Sequence, residues 1–248
     1  INVGKVVGLT GEIPIGAKRV DAEGALVIPG FIDLQVNGGG GALFNNDPTE
    51  VGIRTICEAH ARYGTTALMV TFITDRPELK RVAIAAGEQA YTHGSAGYLG
   101  LHLEGPHLSV ARKGTHDPAL IRPMTEADLT YLEGVAGSFG LAMITIAPES
   151  VTPEQVKRLA AAGYRVSLGH TDTPCADVTP YVEAGASMVT HLFNAMSQRC
   201  GPCLPCPTLR PDRRRLPCRS GQHARGTGCQ AGSGAHLPGH RRHVDHRV

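Results

Sequence analysis

Four stretches of this chain close on residues that can hold a metal ion or move a proton: Asp33-Leu-Gln35-Val-Asn37, His102-Leu-Glu104-Gly-Pro106, Gly169-His170-Thr171-Asp172 and Thr190-His191-Leu-Phe-Asn194. One carboxylate and two imidazoles with a fourth position open form a usual ligand set for a catalytic divalent metal, which brings the pKa of water toward neutrality. Glu104, His170 and His191 supply that set. Taken singly, each histidine reads as a satisfied polar residue; on three separate strand ends, with the carboxylate, they read as a metal site. Strand alternation puts His102 on the face of Glu104 and Gln35 on the face of Asn37. His102 alone reads as a supporting or core residue. The loop Lys113-Gly114-Thr115-His116-Asp117-Pro118 is basic and contains glycine, so it could hold an anionic or carbonyl group that His116 polarises. An ordinary solvated turn fits those six residues equally well. The run Asn37-Gly38-Gly39-Gly40-Gly41 lacks the spacing and helix context of a nucleotide fingerprint and reads as a flexible loop that brings backbone close to the site.

Those residues must be carried by elements, and the pattern supplies them. Short apolar runs at Phe31–Val36, Thr66–Thr74, Tyr98–Glu104, Leu141–Ala147, Tyr164–Gly169 and Ser187–Phe193 read as strands. Helix-period segments at Glu50–Tyr63, Pro77–His93, Glu126–Ala136, Pro153–Ala162 and Ala176–Ala184 lie between them. The fourth starts well, with Thr152 as cap, Pro153 in the first turn and Gln155 at the capping-box position. The expected fold class is α/β: a partial TIM-like (β/α)8 barrel of about six βα units, whose functional residues gather at the carboxyl ends of its strands. Upstream, Val6–Val27 is Gly-rich and β-prone, and reads as the remnant of a small β-sandwich domain. The expected organisation is therefore 1–28 for that remnant, 29–198 for the partial barrel with its candidate metal site and 199–248 for a tail. The start at Ile1 rather than Met points to missing upstream sequence.

Composition supports the division. The 248 residues, 42% hydrophobic and 19% charged, suffice for one buried core and exclude a disordered or collagen-like chain. Residues 1–198 carry 14 Lys and Arg against 20 Asp and Glu, whereas residues 199–248 carry 10 Arg against 2 Asp. The net +2 is thus an average of two unlike pieces. No apolar run reaches membrane-spanning length and no secretory signal opens the chain, so the cytoplasm is the expected compartment. In that reducing setting Cys57 and Cys175 read as isolated thiols.

Five blocks then carry a family resemblance: Pro29-Gly-Phe-Ile-Asp33, Leu101-His-Leu-Glu-Gly-Pro106, Lys113-Gly-Thr-His116, Ser167-Leu-Gly-His170 and Thr190-His-Leu-Phe-Asn-Ala-Met196. In order, from about Val6 to Gln198, they resemble the N-acetylglucosamine-6-phosphate deacetylases of the amidohydrolase superfamily. The resemblance implies that Glu104, His170 and His191 bind one divalent metal, zinc or iron. It implies that His116 is catalytic, and that Thr115, His116, Asn194 and Ala195, with Gln35 and Asn37, face the amino-sugar phosphate. Where many relatives begin the barrel with His-x-His and hold two metals, this chain has Gln35-Val-Asn37, and neutral amides are poor ligands beside imidazole and carboxylate. The implied reaction hydrolyses the acetamide of N-acetylglucosamine 6-phosphate to glucosamine 6-phosphate and acetate. The implied partner is that small molecule, with no nucleic acid and no membrane; full-length family members form homodimers. Alternatives are another amidohydrolase acting on an N-acyl or cyclic amide, or a non-catalytic metal or nucleic-acid binder that uses the tail.

The family's acid/base Asp lies in a Thr-Asp-Ala-Met block after the seventh barrel strand, and no such block occurs here. After Gln198 the chain reads Arg199-Cys-Gly-Pro-Cys-Leu-Pro-Cys206, whose Cys200, Cys203 and Cys206 could suggest a metal knuckle and whose arginines could suggest nucleic acid. A third reading explains more. One choice of synonymous codons for His236–Val248, shifted by one base, encodes Ile-Phe-Leu-Val-Thr-Asp-Ala-Met-Ser-Thr-Ile-Gly, the missing block, with its Asp across the codons of Arg241 and Arg242. The tail is therefore expected to be out of frame and disordered, the chain inactive as written, and its unclosed sheet edges a hindrance to folding.

Overall fold

Apolar residues at every second position, with small or polar ones between, dictate strands whose two faces meet different surroundings. The computed structural model describes Gly16, Lys18, Asp21 and residues 23–197. Its elements in chain order are β1 (Phe31–Val36), the short strands β2 (Gly38–Gly39) and β3 (Ala42–Leu43), α1 (Glu50–Ala61), β4 (Thr65–Ile73), α2 (Pro77–Thr92), β5 (Tyr98–Glu104), α3 (Glu126–Val135), β6 (Leu141–Ile146), α4 (Pro153–Ala161), β7 (Arg165–Leu168), α5 (Thr179–Glu183) and β8 (Met188–Val189). Single 3-10 turns occupy Val110–Arg112 and Cys175–Val178.

Six strands form one sheet in the order β1-β4-β5-β6-β7-β8, every pairing parallel. Each strand's neighbour is the next one in the chain, the winding of a barrel rather than of a doubly wound sheet. The result is a curled half-barrel of α/β class, as the alternation of elements predicts. One sheet face carries Leu68, Val70, Phe72, Leu101, Leu103, Ile144, Ile146 and Val166, all buried in a single apolar cluster with the helices. Helix α1 adds Ile53, Ile56 and Cys57, α3 adds Leu129 and Leu132, and α4 adds Val156 and Leu159. Each such side chain contributes about 1.5–3 kcal/mol on burial.

The other face is polar and equally dry. Thr71, His102, Thr145, Ser167 and Thr190, from five neighbouring segments, are all buried there. His102 Nδ1 lies 3.1 Å from the Thr71 hydroxyl and Nε2 lies 2.7 Å from that of Thr145. The Thr145 hydroxyl is 2.7 Å from that of Thr190, which is 2.7 Å from the Ser167 hydroxyl. His102 is thus a core residue whose two nitrogens are both partnered, as expected. Its pKa is pushed down to about 4 by burial, against the pull of Glu104.

Helix starts follow local chemistry. The Thr152 hydroxyl accepts from the Gln155 N–H while the Gln155 side chain accepts from the Thr152 N–H, the expected capping box. Thr125 and Asp128 form a second such box at α3 that the sequence reading overlooked. Three expectations need correction. The segment 37–41 is not a flexible loop: Gly38–Gly39 pairs antiparallel with Ala42–Leu43. His60 of α1 lies 3.0 Å from the Gly38 carbonyl, so the hairpin packs on that helix. The sixth strand is only Met188–Val189, because His191 and Phe193 adopt positive φ and turn the chain away. The last helix is split, its α-helical part beginning at Thr179 with Pro180 in its first turn. The proposed small β-domain and the tail fall almost wholly outside the described residues; within 23–28 there is no strand. Strand β1 pairs only with β4 among the described residues, and Phe31, Ile32 and Leu34 are exposed along it.

Asp128 makes α3 sensitive to acid. Burial opposes its charge, but hydrogen bonds from Arg122, from the Thr125 hydroxyl and from the Thr125 N–H outweigh that and hold the carboxyl well below the usual range. A carboxyl whose pKa is depressed in the folded state stabilises above its unfolded pKa, and that contribution is lost as pH falls through the folded value. Asp128→Asn is expected to cost about 1 kcal/mol near neutral pH, the scale of a lost cap. The loss should shrink as pH falls below about 4, where the unfolded carboxylate begins to protonate. Urea midpoints of the two proteins across that pH range check it.

Candidate metal centre

Strand β5 ends at Glu104, two residues beyond His102 on the same inner face, so the carboxylate stands directly above the buried hydroxyl layer. Glu104 Oε1 lies 2.9 Å from His170 Nε2 and 3.0 Å from His191 Nε2. The ligand atoms of these three residues all fall within 4.8 Å of one another, the set that the sequence pattern predicts. The side chains of Glu104 and His170 are 2% and 5% exposed, whereas that of His191 is 33% exposed, so the cluster opens on the His191 side.

The tautomers decide what this geometry means. His170 Nδ1 is 2.8 Å from the Arg112 carbonyl, which can only accept, so Nδ1 carries the proton. A neutral His170 therefore turns the bare lone pair of Nε2 toward a carboxylate oxygen 2.9 Å away. Two acceptors at that distance repel unless a proton or a metal cation lies between them. Without a cation, the ring must gain a second proton. Burial opposes this, but the Glu104 hydrogen bond and the Arg112 carbonyl prevail and hold His170 above its ordinary pKa. Burial would likewise raise Glu104, yet its bond to His170 and the neighbouring histidines hold it below the carboxylate range. The donor set of one anionic oxygen and two imidazole nitrogens, one of them oriented by a backbone carbonyl, suits a divalent transition metal. No second carboxylate joins the cluster among the described residues.

The surroundings clamp these residues. The Val110–Arg112 turn grips the His170 loop at both ends: the Ser109 N–H donates to the His170 carbonyl, and Arg112 Nε donates to Asp172 at 2.8 Å. Glu149 accepts from the Thr171 hydroxyl and the Asp172 N–H. The Thr171 N–H donates to the Ala195 carbonyl and the Ser197 N–H to the Thr171 carbonyl, which ties the His191 turn to the His170 loop. Both histidines are held at positive φ, 49° and 56°, a backbone region that side chains other than glycine rarely adopt. Strain of that kind gathers at functional sites. Gly169 is required beside it, since a Cβ there would stand 2.8 Å from Thr190 Cβ and 2.9 Å from the Thr190 carbonyl oxygen.

The remaining sequence candidates divide. Gln35 Nε2 donates to Glu104 Oε2 at 2.9 Å and lies 3.4 Å from His191 Nε2, so this amide touches the cluster itself. His116 is buried beside it, its ring 4.6 Å from that of His170 in an edge-on contact and its Nδ1 2.7 Å from the Thr74 hydroxyl. Burial, then the charge of His170, pushes His116 down to about 4, so it is neutral at pH 7. Thr115 and Asn194 are exposed, and Ala195 is half-buried with its carbonyl engaged by Thr171. Asn37 is half-buried, and its carbonyl accepts from the Phe44 N–H. The sequence reading missed Thr74, Arg112 and Asn45; the last exchanges hydrogen bonds with Ile73 and so pins the end of β4. Nothing in their types or spacing marks them, because their roles rest on contacts between distant segments.

Parallel strands wound in chain order, with a His/Glu cluster at their carboxyl ends, make an α/β half-barrel with a candidate metal site. The amidohydrolase family pattern matches residues 26–245, and the chain belongs to that family. The match runs past Gln198 into the Arg- and Cys-rich stretch, which lies outside the described residues. The chain is 49% identical over 172 residues to an N-acetylgalactosamine-6-phosphate deacetylase of Shewanella, covering 69% of this chain and 43% of the relative. It is 36% identical over 194 residues to the human N-acetylglucosamine-6-phosphate deacetylase, covering 75% of this chain and 46% of that one. The crystal structure of N-acetylglucosamine-6-phosphate deacetylase from Pasteurella multocida superposes with a TM-score of 0.71 at 36% identity, over 75% of this chain and 48% of that one. A Mycobacterium smegmatis deacetylase variant in complex with N-acetyl-D-glucosamine-6-phosphate gives 0.63 at 32% identity, over 69% of this chain and 44% of that one. The chain thus spans a little under half the length of the relatives it matches.

Because Gln35 holds the outer oxygen of Glu104, Gln35→Leu should weaken divalent-metal affinity roughly 10- to 100-fold, the effect of losing an orienting hydrogen bond. Glu104→Gln should weaken it more. Competition with a chromogenic chelator reads both, and unchanged affinity in Gln35→Leu would refute the orienting role.

Proposed function

We propose that this chain carries the metal-binding half of a deacetylase for N-acetylated amino-sugar 6-phosphates, in the cytoplasm. The observation that carries the reading is the Glu104–His170–His191 cluster at the strand ends, with His116 beside it. In this reading Glu104, His170 and His191 hold one divalent ion, zinc or iron. When bound, such an ion polarises the acetamide carbonyl and makes water acidic enough to serve as nucleophile near neutral pH. In this reading His116, whose ring stands 4.6 Å from that of His170, hydrogen-bonds the carbonyl oxygen. The Thr74 hydroxyl has two acceptors in reach, the Glu104 carbonyl at 3.4 Å and His116 Nδ1 at 2.7 Å; when it donates to the nearer Nδ1, the neutral ring keeps its proton on Nε2 and donates it to that oxygen. Gln35 keeps Glu104 turned toward the cluster. Thr115, Asn194 and Ala195 are assigned to the sugar phosphate from the family blocks they occupy, and Asn37 from its place just beyond the end of β1. The tail beyond Gln198 is assigned to an out-of-frame stretch, on the back-translation alone.

Two substrates compete. Most named relatives act on the glucosamine epimer, while the relative at 49% identity is named for the galactosamine one, an observation that favours the galacto configuration as a second reading. A proton must also reach the leaving amine, and among the described residues no further carboxylate joins the cluster to deliver it. A general acid is worth about 10²- to 10⁴-fold in rate. The 248-residue chain is therefore expected to bind metal yet release acetate at least about 100-fold more slowly than a full-length relative. Acetate release measured with both N-acetylhexosamine 6-phosphates and with unphosphorylated N-acetylglucosamine is the test. A family-like rate refutes the missing acid, and equal rates with and without phosphate refute the substrate class.

A further inference from the structure

Two histidines stand side by side at the carboxyl ends of the strands, and their Nδ1 atoms meet opposite kinds of partner. The His116 and His170 rings are 4.6 Å apart in an edge-on contact. His170 Nδ1 faces the Arg112 carbonyl at 2.8 Å, a group that only accepts, so the ring's proton is drawn to Nδ1 and Nε2 is left to the cluster. His116 Nδ1 faces the Thr74 hydroxyl at 2.7 Å, a group that can also donate. Despite its place against His170, His116 is not one of the three residues whose ligand atoms converge.

Two arrangements are open to that hydroxyl. In one it donates to His116 Nδ1, and the ring's proton sits on Nε2. In the other Nδ1 donates to Thr74, and the hydroxyl turns to the Glu104 carbonyl 3.4 Å away. The longer distance lies beyond the range of a good O–H···O bond, whereas 2.7 Å is the usual length for a hydroxyl donor and the short limit for an N–H donor. Thr74 and His116 are both buried, so water does not compete for the pair. The hydroxyl is also held in place. Asn45 accepts from the Ile73 N–H and donates to the Ile73 carbonyl and to Asp75, which fixes both neighbours of Thr74. Gly105 leaves the room, since a Cβ there would overlap the Thr74 hydroxyl oxygen. At the far side of the ring, Nε2 has no hydrogen-bond partner among the described residues, yet it is not one of their buried unpartnered atoms, so it reaches open space.

We infer that Thr74 is a positioning residue that fixes His116 as the Nε2–H tautomer, and that the group facing Nδ1 sorts the two neighbouring rings into a metal ligand and a hydrogen-bond donor. The open Nε2–H of His116 then recognises an acceptor oxygen and has no lone pair to offer an ion. Use of that proton on an acetamide rests on the deacetylase reading; the tautomer does not.

The test is the tautomer itself, read by long-range proton–nitrogen NMR correlations in the full, metal-free chain above about pH 8, beyond the ordinary histidine range. His116→Gln assigns the signal by its loss. His116 should carry its proton on Nε2 and show an Nδ1 resonance displaced by a hydroxyl donor. Thr74→Val should move that Nδ1 resonance to the position of an unbonded acceptor, and Thr74→Ser should restore it. Thr74→Asp puts an acceptor-only group at Nδ1 and should transfer the proton there. Competition with a chromogenic chelator should give Thr74→Val the divalent-metal affinity of the unmodified chain, because the hydroxyl bonds to no ligand side chain. A proton on Nδ1 in the unmodified chain overturns the proposal without recourse to any variant. An Nδ1 resonance that Thr74→Val leaves in place overturns it too, and a loss of metal affinity in Thr74→Val would reduce Thr74 to a structural residue. A chain that shows the expected tautomer yet takes up no metal overturns the metal reading alone.

Discussion

The organising constraint of this molecule is a shared acceptor. Glu104 Oε1 stands 2.9 and 3.0 Å from two imidazole nitrogens, and the Arg112 carbonyl forbids the nearer ring from offering a proton unless it becomes a cation. Such an arrangement is satisfied only by positive charge at its centre. The clasp of the Val110–Arg112 turn, the Gln35 amide and the left-handed histidines all hold atoms together that would otherwise separate.

Beneath the cluster the sheet is built to match. A barrel interior is commonly filled by branched aliphatics, yet here Thr71, His102, Thr145, Ser167 and Thr190 form a closed set of hydrogen bonds. Hydroxyls donate and accept, so the layer can satisfy a neutral His102 whichever tautomer it adopts. A fully satisfied buried network rigidifies its surroundings, whereas a half-satisfied one would be costly. The apolar work is done on the opposite face, where Val70, Leu103 and Ile144 meet the helices. The sheet thus separates stability from chemistry, one on each side.

Much of this was legible in the residues. The strand at Tyr98–Glu104 and the starts of all four longer helices follow from periodicity, with capping residues marking that of α4, because those signals are local. The three ligand candidates could be named because ionisable residues at the ends of apolar strands are rare without a purpose. What failed was set by distant contacts. Nothing local in the glycine run reveals that His60 and α1 hold a hairpin there. The apolar pattern through Phe193 outruns the last strand, because it cannot show that His191 turns its backbone to positive φ. His107 is equally silent in the sequence, since an unpartnered buried nitrogen is a property of an environment and not of a residue type.

The sequential order of the strands also bears on how the chain is made. Each βα unit docks on the edge left by the one before it, so the sheet can lengthen while synthesis proceeds, N-terminal part first. The ligands do not arrive together: Glu104 comes with the third strand of that sheet, His170 after the fifth and His191 after the sixth. Early in synthesis the carboxylate is alone, and a metal ion has little reason to stay. The three candidate ligands are therefore together only once the sixth strand has emerged and found its place.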